Sequence, residues 1–194
     1  AAGKGTRMPS CKPNALQTLA GRTLVEHILV KLVDVAIDEV VIIHSPEAKK
    51  DFEKKIGTNK KITYVEQEQA LGTAHALKTA LPHVTSENLL VLLGDVPLLS
   101  RRTIKKLKEQ TLDNDLVVLT GEVKNPFGYG RIVKDSEGKP MAIIEELDCD
   151  ETQREIKEIN SGIMAFKTNV VKKLVESIKP NRKKNEYYLT DAIE

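Results

Sequence analysis

This sequence is short of the residues that mark several functional classes. It has no tryptophan, and aromatics make up only 4% of its 194 residues. A platform on which nucleobases stack needs exposed aromatic rings, so no nucleic-acid partner is expected on that basis. Charge of one sign is also lacking, because 30 Lys and Arg stand against 28 Asp and Glu, a formal net charge of +2. A phosphate-backbone footprint calls for a larger basic excess. Cysteine occurs twice, at Cys11 and Cys149, and neither has a second Cys or a His at ligand spacing. That argues against a zinc or redox motif and is what a reducing, cytoplasmic setting leads one to expect. No apolar run approaches the roughly 20 residues of a membrane-spanning helix, so no membrane partner is expected. The sequence also has no Gly-x-Ser-x-Gly segment and no His spaced as a partner for Cys11. A reaction driven by positioning and charge neutralisation fits better than covalent catalysis.

What is present is a glycine-rich opening, Ala1-Ala2-Gly3-Lys4-Gly5-Thr6-Arg7-Met8. Two glycines one residue apart permit a tight turn and leave no side chain between backbone and ligand. Successive N–H groups in such a turn form an anion-binding concavity, and Lys4 and Arg7 add positive charge. A polyphosphate is the simplest ligand; a flexible start or a surface turn is the plain alternative. The stretch is not a Walker A loop, because no Gly-Lys-Ser/Thr follows, and Met8 stands where a dinucleotide fingerprint has its third glycine. In α/β proteins such loops follow a buried strand, so the domain is expected to be incomplete at its beginning.

The rest of the chain alternates. Helical spacing of Leu24, Ile28, Leu29, Leu32 and Val35 predicts a helix over 23–36. The run Val40-Val41-Ile42-Ile43 predicts a strand buried on both faces. A charged helix over 49–55, a strand over 62–65, a helix over 73–81 capped by Thr73, and a strand over 88–93 follow. Ser100 is expected to open a basic helix, and residues 116–120 a fourth parallel-type strand. This order specifies a parallel sheet with helices on both faces. The pattern then changes to a hairpin turning at Asp135-Ser136-Glu137-Gly138, a charged helix over 151–158, a strand over 159–166 and a helix over 170–178.

Open sheets bind ligands beyond the carboxyl ends of their strands. Three unusual segments fall there: the glycine loop, Gln67-Glu68-Gln69-Ala70-Leu71-Gly72-Thr73, and Gly94-Asp95. Asp95 closes an apolar run and is fixed between Gly94 and Pro97. It suits Mg²⁺, which takes one or two carboxylates plus phosphate oxygens, or else it caps the following turn. Gln67 has an amide able to read a nucleobase edge, or to sit solvated in a loop. His75 reads as structural, and Tyr187 and Tyr188 as packing residues.

Several segments in register carry a resemblance. Besides the opening loop they are Leu71-Gly72-Thr73-Ala74-His75-Ala76, Leu93-Gly94-Asp95-Val96-Pro97-Leu98, Gly128-Tyr129-Gly130-Arg131-Ile132-Val133, Glu158-Ile159-Asn160-Ser161-Gly162-Ile163 and Glu186-Tyr187-Tyr188-Leu189-Thr190-Asp191. From end to end the chain resembles the sugar-nucleotide pyrophosphorylases, in particular the uridylyltransferase domain of bacterial bifunctional N-acetylglucosamine-1-phosphate uridylyltransferases/glucosamine-1-phosphate acetyltransferases. The resemblance implies a Rossmann-like, GT-A-like α/β fold with a mixed, mainly parallel sheet, helices on both faces and a small β-hairpin sugar-binding subdomain. It implies conversion of UTP and N-acetylglucosamine 1-phosphate to UDP-N-acetylglucosamine and pyrophosphate with Mg²⁺, in the cytoplasm. By motif match, Ala1, Ala2, Gly3, Gln67, Gly72 and Thr73 would hold the nucleotide. Arg7 and Lys12 would meet the phosphates, and Asp95 would ligate magnesium. Gly130, Glu145, Asn160, Tyr188 and Thr190 would line the sugar pocket.

Two departures stand out. Asn14 and Leu147 occupy places where the resembled family commonly has lysine; Lys12 would substitute for the first from a shifted position. The family's second magnesium ligand and its left-handed β-helix acetyltransferase domain, through which homotrimers form, would lie beyond Glu194, so residues 1–194 are expected to be one nucleotidyltransferase domain, incomplete at both ends. The alternatives are a pyrophosphorylase for another sugar or nucleotide, a catalytically weak sugar-nucleotide sensor and, more remotely, a Rossmann oxidoreductase.

Overall fold

The computed structural model describes residues 13–181 and 185–193. Thr23 and Glu26 start the first helix with a capping box: the Glu26 N–H donates to Thr23 Oγ1, and the Thr23 N–H donates to the Glu26 carboxylate at 2.6 Å. That helix, α1 (Leu24–Asp34), follows a two-residue ribbon of β1 (Thr18–Leu19) and β2 (Arg22–Thr23). It buries Ile28 and Leu32 of the predicted stripe together with Val25, while Leu24, Leu29 and Val35 are half-buried. Next come β3 (Val40–His44), α2 (Lys49–Ile56), β4 (Ile62–Glu66), α3 (Thr73–Ala80), β5 (Asn88–Val91) and α4 (Arg101–Gln110). The remainder is β6 (Leu116–Glu122), β7 (Arg131–Lys134), β8 (Pro140–Ile144), α5 (Glu151–Arg154), β9 (Glu158–Lys167), α6 (Thr168–Ser177) and a 3-10 turn over Leu189–Ile193.

The long strand β9 is the spine. Ile163, Met164, Ala165 and Phe166 are at most 2% exposed. Along one edge β9 pairs with β6; along the other it pairs with β5 at its far end and with β7 at Ile159. β8 returns beside β7 as the expected hairpin, whose turn is held by Asp135 accepting the Glu137 and Lys139 N–H groups. The mixed α/β architecture is the expected one, with one refinement. Among the described residues direct parallel pairing is confined to β3 and β4, while every pairing of β9 is antiparallel. β5 and β6 therefore run in the same direction, as the βαβ pattern requires, but they are not neighbours, because β9 arrives later in the chain and slots between them.

Two local expectations shift for clear reasons. Thr73 does not cap α3; the N-cap is Gly72, and Thr73 Oγ1 instead accepts the Leu189 N–H at 2.9 Å. The charged helix over 151–158 stops at Arg154, because residues 158–160 are taken up by pairing with β6.

Candidate functional site

Asp95 sits in the turn after β5, where the Val96 N–H donates to the Leu93 carbonyl at 3.2 Å. Its carboxylate meets Asn14, whose Nδ2 lies 3.4 Å from Asp95 Oδ2. Asn14 begins a short 3-10 turn that buries Ala15 and Leu16 against Val25 and Phe52. The segment just after the glycine loop thus reaches the rim that carries Asp95. The loop itself, with Ala1, Ala2, Gly3, Arg7 and Lys12, lies outside the described residues. Behind Asp95, β9 bulges: Gly162 has a φ of +76°, and a Cβ there would stand 2.8 Å from Leu93 Cδ1. Ser161 Oγ bridges the bulge by donating to the Leu119 carbonyl at 2.6 Å. Bulges of this kind re-aim strands beside binding sites, and here the bulge separates the core half of β9 from the half that carries Asn160.

Gln67 follows β4, 4% exposed, and its N–H donates to the His44 carbonyl at 2.8 Å. Its Nε2 donates to His75 Nδ1 at 2.8 Å, with the Gly72 carbonyl at 3.4 Å. His75 therefore supports the Gln67 amide from behind, the structural role its sequence context indicates. Gly72 has a φ of +103°, and a Cβ there would fall 2.5 Å from the Tyr187 carbonyl oxygen. Only glycine satisfies both limits. Tyr187 is stitched to the same loop: its N–H donates to the Leu71 carbonyl at 2.7 Å, and its carbonyl accepts the Ala74 N–H at 2.9 Å. The candidate nucleotide-reading loop and the segment carrying Tyr188 and Thr190 are one hydrogen-bonded unit.

That segment reaches the other candidate sugar residues. Thr190 Oγ1 donates to Glu145 Oε1 at 3.1 Å. Gly130 lies between them and β9: its carbonyl accepts the Asn160 N–H at 2.8 Å, and a Cβ on it would come within 3.0 Å of Ile143 and 3.5 Å of Glu145 Oε1. Asn160 Oδ1 accepts the Gly162 N–H at 2.9 Å. Burial, followed by the negative charges of Glu186, Glu145 and Asp148, pushes the Tyr188 hydroxyl up to about 12. It remains an O–H donor at any physiological pH.

Sequence reasoning missed what holds this cluster. Arg131 is 1% exposed and pairs with Glu146 at 2.7 Å, while its Nη1 donates to the Tyr129 carbonyl. Glu146 also accepts the Gly128 N–H at 2.9 Å. That backbone bond, and then Arg131, hold the Glu146 carboxyl below its ordinary range. The pair clamps both ends of the 128–131 loop on which Gly130 sits. Its signal was an arginine directly after Gly-x-Gly with acidic residues at 145 and 146, but the partner could not be chosen from sequence.

Among the described residues no three His, Cys, Asp or Glu side chains cluster as a metal site. A single carboxylate, Asp95, still fits a cation that completes its shell with ligand oxygens and water.

Taken together, these features define an α/β nucleotide-handling domain whose described candidate ligand residues stand at strand ends and in the loops beside them. The chain belongs to the MobA-like NTP transferase domain family, which it matches over residues 1–157. It is 45% identical over its whole length to the "Bifunctional protein GlmU" of Francisella tularensis subsp. novicida, and equally to that of subsp. holarctica. It spans 42% of the length of these curated relatives. Among solved structures its fold is similar to UDP-glucose pyrophosphorylase complexed with UDP-glucose, with a TM-score of 0.78 at 19% identity over 99% of this chain and 82% of that one. It is also similar to HddC from Yersinia pseudotuberculosis, with a TM-score of 0.69 at 18% identity over 97% of this chain and 79% of the other.

Proposed function

We propose that this domain transfers a uridylyl group from UTP to N-acetylglucosamine 1-phosphate, releasing pyrophosphate. The observation that supports the reading is the joining of residues 67–73 to residues 187–190, which ties the candidate base-reading loop to the candidate sugar-lining segment. The 45% identity to bifunctional GlmU proteins over the full chain supports the choice of substrates.

A sugar phosphate has a second pKa near 6, so it is largely dianionic at neutral pH and needs no general base. Its oxygen attacks the α-phosphorus; that P–O bond forms as the bond to the β-phosphate oxygen breaks, and pyrophosphate leaves with the electron pair. The obstacle is repulsion between anions, so catalysis is alignment and charge neutralisation. In this reading Arg7, Lys12 and the loop N–H groups meet the triphosphate, with Ala1, Ala2 and Gly3 at the nucleoside. Gln67, Gly72 and Thr73 complete the nucleotide side. Gly130, Glu145, Asn160, Tyr188 and Thr190 hold the sugar. Asp95 holds Mg²⁺, which supplies Lewis-acid neutralisation of the phosphates when bound. The setting is cytoplasmic, and assembly into a homotrimer would depend on sequence outside this domain.

The test is pyrophosphate release with UTP and N-acetylglucosamine 1-phosphate together and singly, alongside other nucleotides and sugar phosphates. Release only with the named pair supports the reading. Binding without turnover would favour a sugar-nucleotide sensor, and a different preferred pair would reassign the substrates.

A further inference from the structure

Asn14 and Asp95 are 81 residues apart in the chain, yet the fold brings Asn14 Nδ2 to 3.4 Å from Asp95 Oδ2. Each residue sits on a held element. Asn14 opens the 3-10 turn Asn14–Leu16, and its carbonyl accepts the Gln17 N–H at 3.0 Å. The next two residues, Ala15 and Leu16, are 2% and 4% exposed and belong to one cluster with Val25 and Phe52. On the other side, the Val96 N–H donates to the Leu93 carbonyl across Asp95, and Lys31 Nζ of α1 donates to the Pro97 carbonyl. Val96 and Leu99 pack against the buried Leu107, Ile163 and Ala165. Side chains carried on such supports keep their mutual geometry.

The separation is close to what a shared cation demands. Mg²⁺ holds oxygens at about 2.0–2.1 Å in an octahedron, so two adjacent ligands stand about 3 Å apart. The Asn14 carboxamide has an oxygen besides the nitrogen that faces Asp95. A half-turn about its Cβ–Cγ bond, a soft torsion, exchanges the two. The pair then needs to close by only a few tenths of an ångström to present one neutral and one charged oxygen. A carboxamide can thus donate to the carboxylate when no cation is bound and turn its oxygen to the cation when one is. A lysine or arginine could do only the first, because it has donors and no acceptor.

We propose that Asn14 is a further protein ligand, through its side-chain Oδ1, of the divalent cation assigned to Asp95. The inference rests on the reading of Asp95 as a cation ligand and gives a role to a residue which that reading leaves without one. Two protein oxygens at adjacent positions leave the remaining places for phosphate oxygens and water, the mixture that Mg²⁺ favours. They also fix the cation in place, whereas a single carboxylate lets it swing.

The experiment titrates Mn²⁺, a paramagnetic stand-in for Mg²⁺, into the 194-residue chain, alone and with UTP, and reads free Mn²⁺ by electron paramagnetic resonance. The unmodified chain is compared with Asn14→Leu, Asn14→Asp and Asp95→Ala, and the melting temperature of each checks its fold. Asn14→Leu is expected to weaken Mn²⁺ binding by about 10-fold. Asn14→Asp keeps an oxygen at that place and should bind at least as tightly as the unmodified chain. Protein carrying ¹³C-labelled asparagine should show a ¹³C coupling to the bound Mn²⁺ that Asn14→Leu removes. Weaker binding in Asp95→Ala with none in Asn14→Leu overturns the proposal and keeps the reading of Asp95. Equal weakening by Asn14→Leu and Asn14→Asp, or absence of the ¹³C coupling, also overturns it, since Asn14 would then act only by donating to Asp95. Unchanged binding in Asp95→Ala removes that reading and the proposal with it.

Discussion

The two ends of the candidate site are built differently. Asp95 stands on a turn, and among the described residues its carboxylate has a long contact to Asn14. Glu145, Gly130 and Asn160 form a cluster fixed by the buried Arg131 and its partner Glu146, by Thr190 and by the 187–190 segment. In the proposed reading charge chemistry falls to the Asp95 end and shape reading to the end that these bonds pin. Mutations should therefore separate along this line: one end should respond in turnover, the other in affinity and stability.

The largest effect belongs to the Asp95 end. Asp95→Ala should lower kcat by about 1000-fold while leaving the melting temperature unchanged, as steady-state kinetics and calorimetry would show. Retention of near-full turnover with Mg²⁺ would remove Asp95 from the chemistry.

Gly72→Ala comes next. The new Cβ would strike the Tyr187 carbonyl, and the positive φ disfavours any side chain, a cost of about 1–3 kcal/mol. Because that contact joins the two halves, titration should show weaker binding of both UTP and the sugar phosphate. Loss of UTP binding alone would mean that the halves act separately.

Glu146→Gln should raise KM for the sugar phosphate several-fold and lower the melting temperature, since it leaves the Arg131 charge buried without its partner. kcat should change little. The same pair gives a pH dependence. The Glu146 carboxyl is held below its ordinary value near 4.5 by the Gly128 N–H first and by Arg131, and Glu158 is held down by Lys134 first and by Thr120. A depressed folded pKa contributes stability that is present above the ordinary value and lost as pH falls through the lowered one. Acid unfolding should steepen below about 4.5, and Glu146→Gln should blunt it.

Tyr188→Phe should have the smallest effect. Its hydroxyl stays protonated, so what is lost is its part-exposed hydrogen bond to the Glu186 carboxylate, a few-fold in KM.

Much of the fold was legible because apolar periodicity is local. The α1 stripe, the Val40–His44 strand and the hairpin at Asp135 follow from residues within a turn or two of each other. The antiparallel placement of β9 between β5 and β6 was not, because Ile163 to Phe166 would fit an edge or a centre equally well by sequence. The candidate site divides in the same way. Gln67, Gly72 and Asp95 follow apolar strands and could be picked out by position. The Arg131–Glu146 clamp and the exchange of Thr73 from cap to acceptor for Leu189 depend on partners 15 and 116 residues away, which no local pattern reveals.

The central claim is that charge chemistry and sugar reading are divided between the two ends. The direct measurement is steady-state pyrophosphate release by Asp95→Asn, with KM for N-acetylglucosamine 1-phosphate and the melting temperature taken on the same sample. The account predicts kcat down by at least about 100-fold with KM and melting temperature near those of the unmodified protein. An unchanged kcat with a raised KM would place Asp95 in recognition and contradict it.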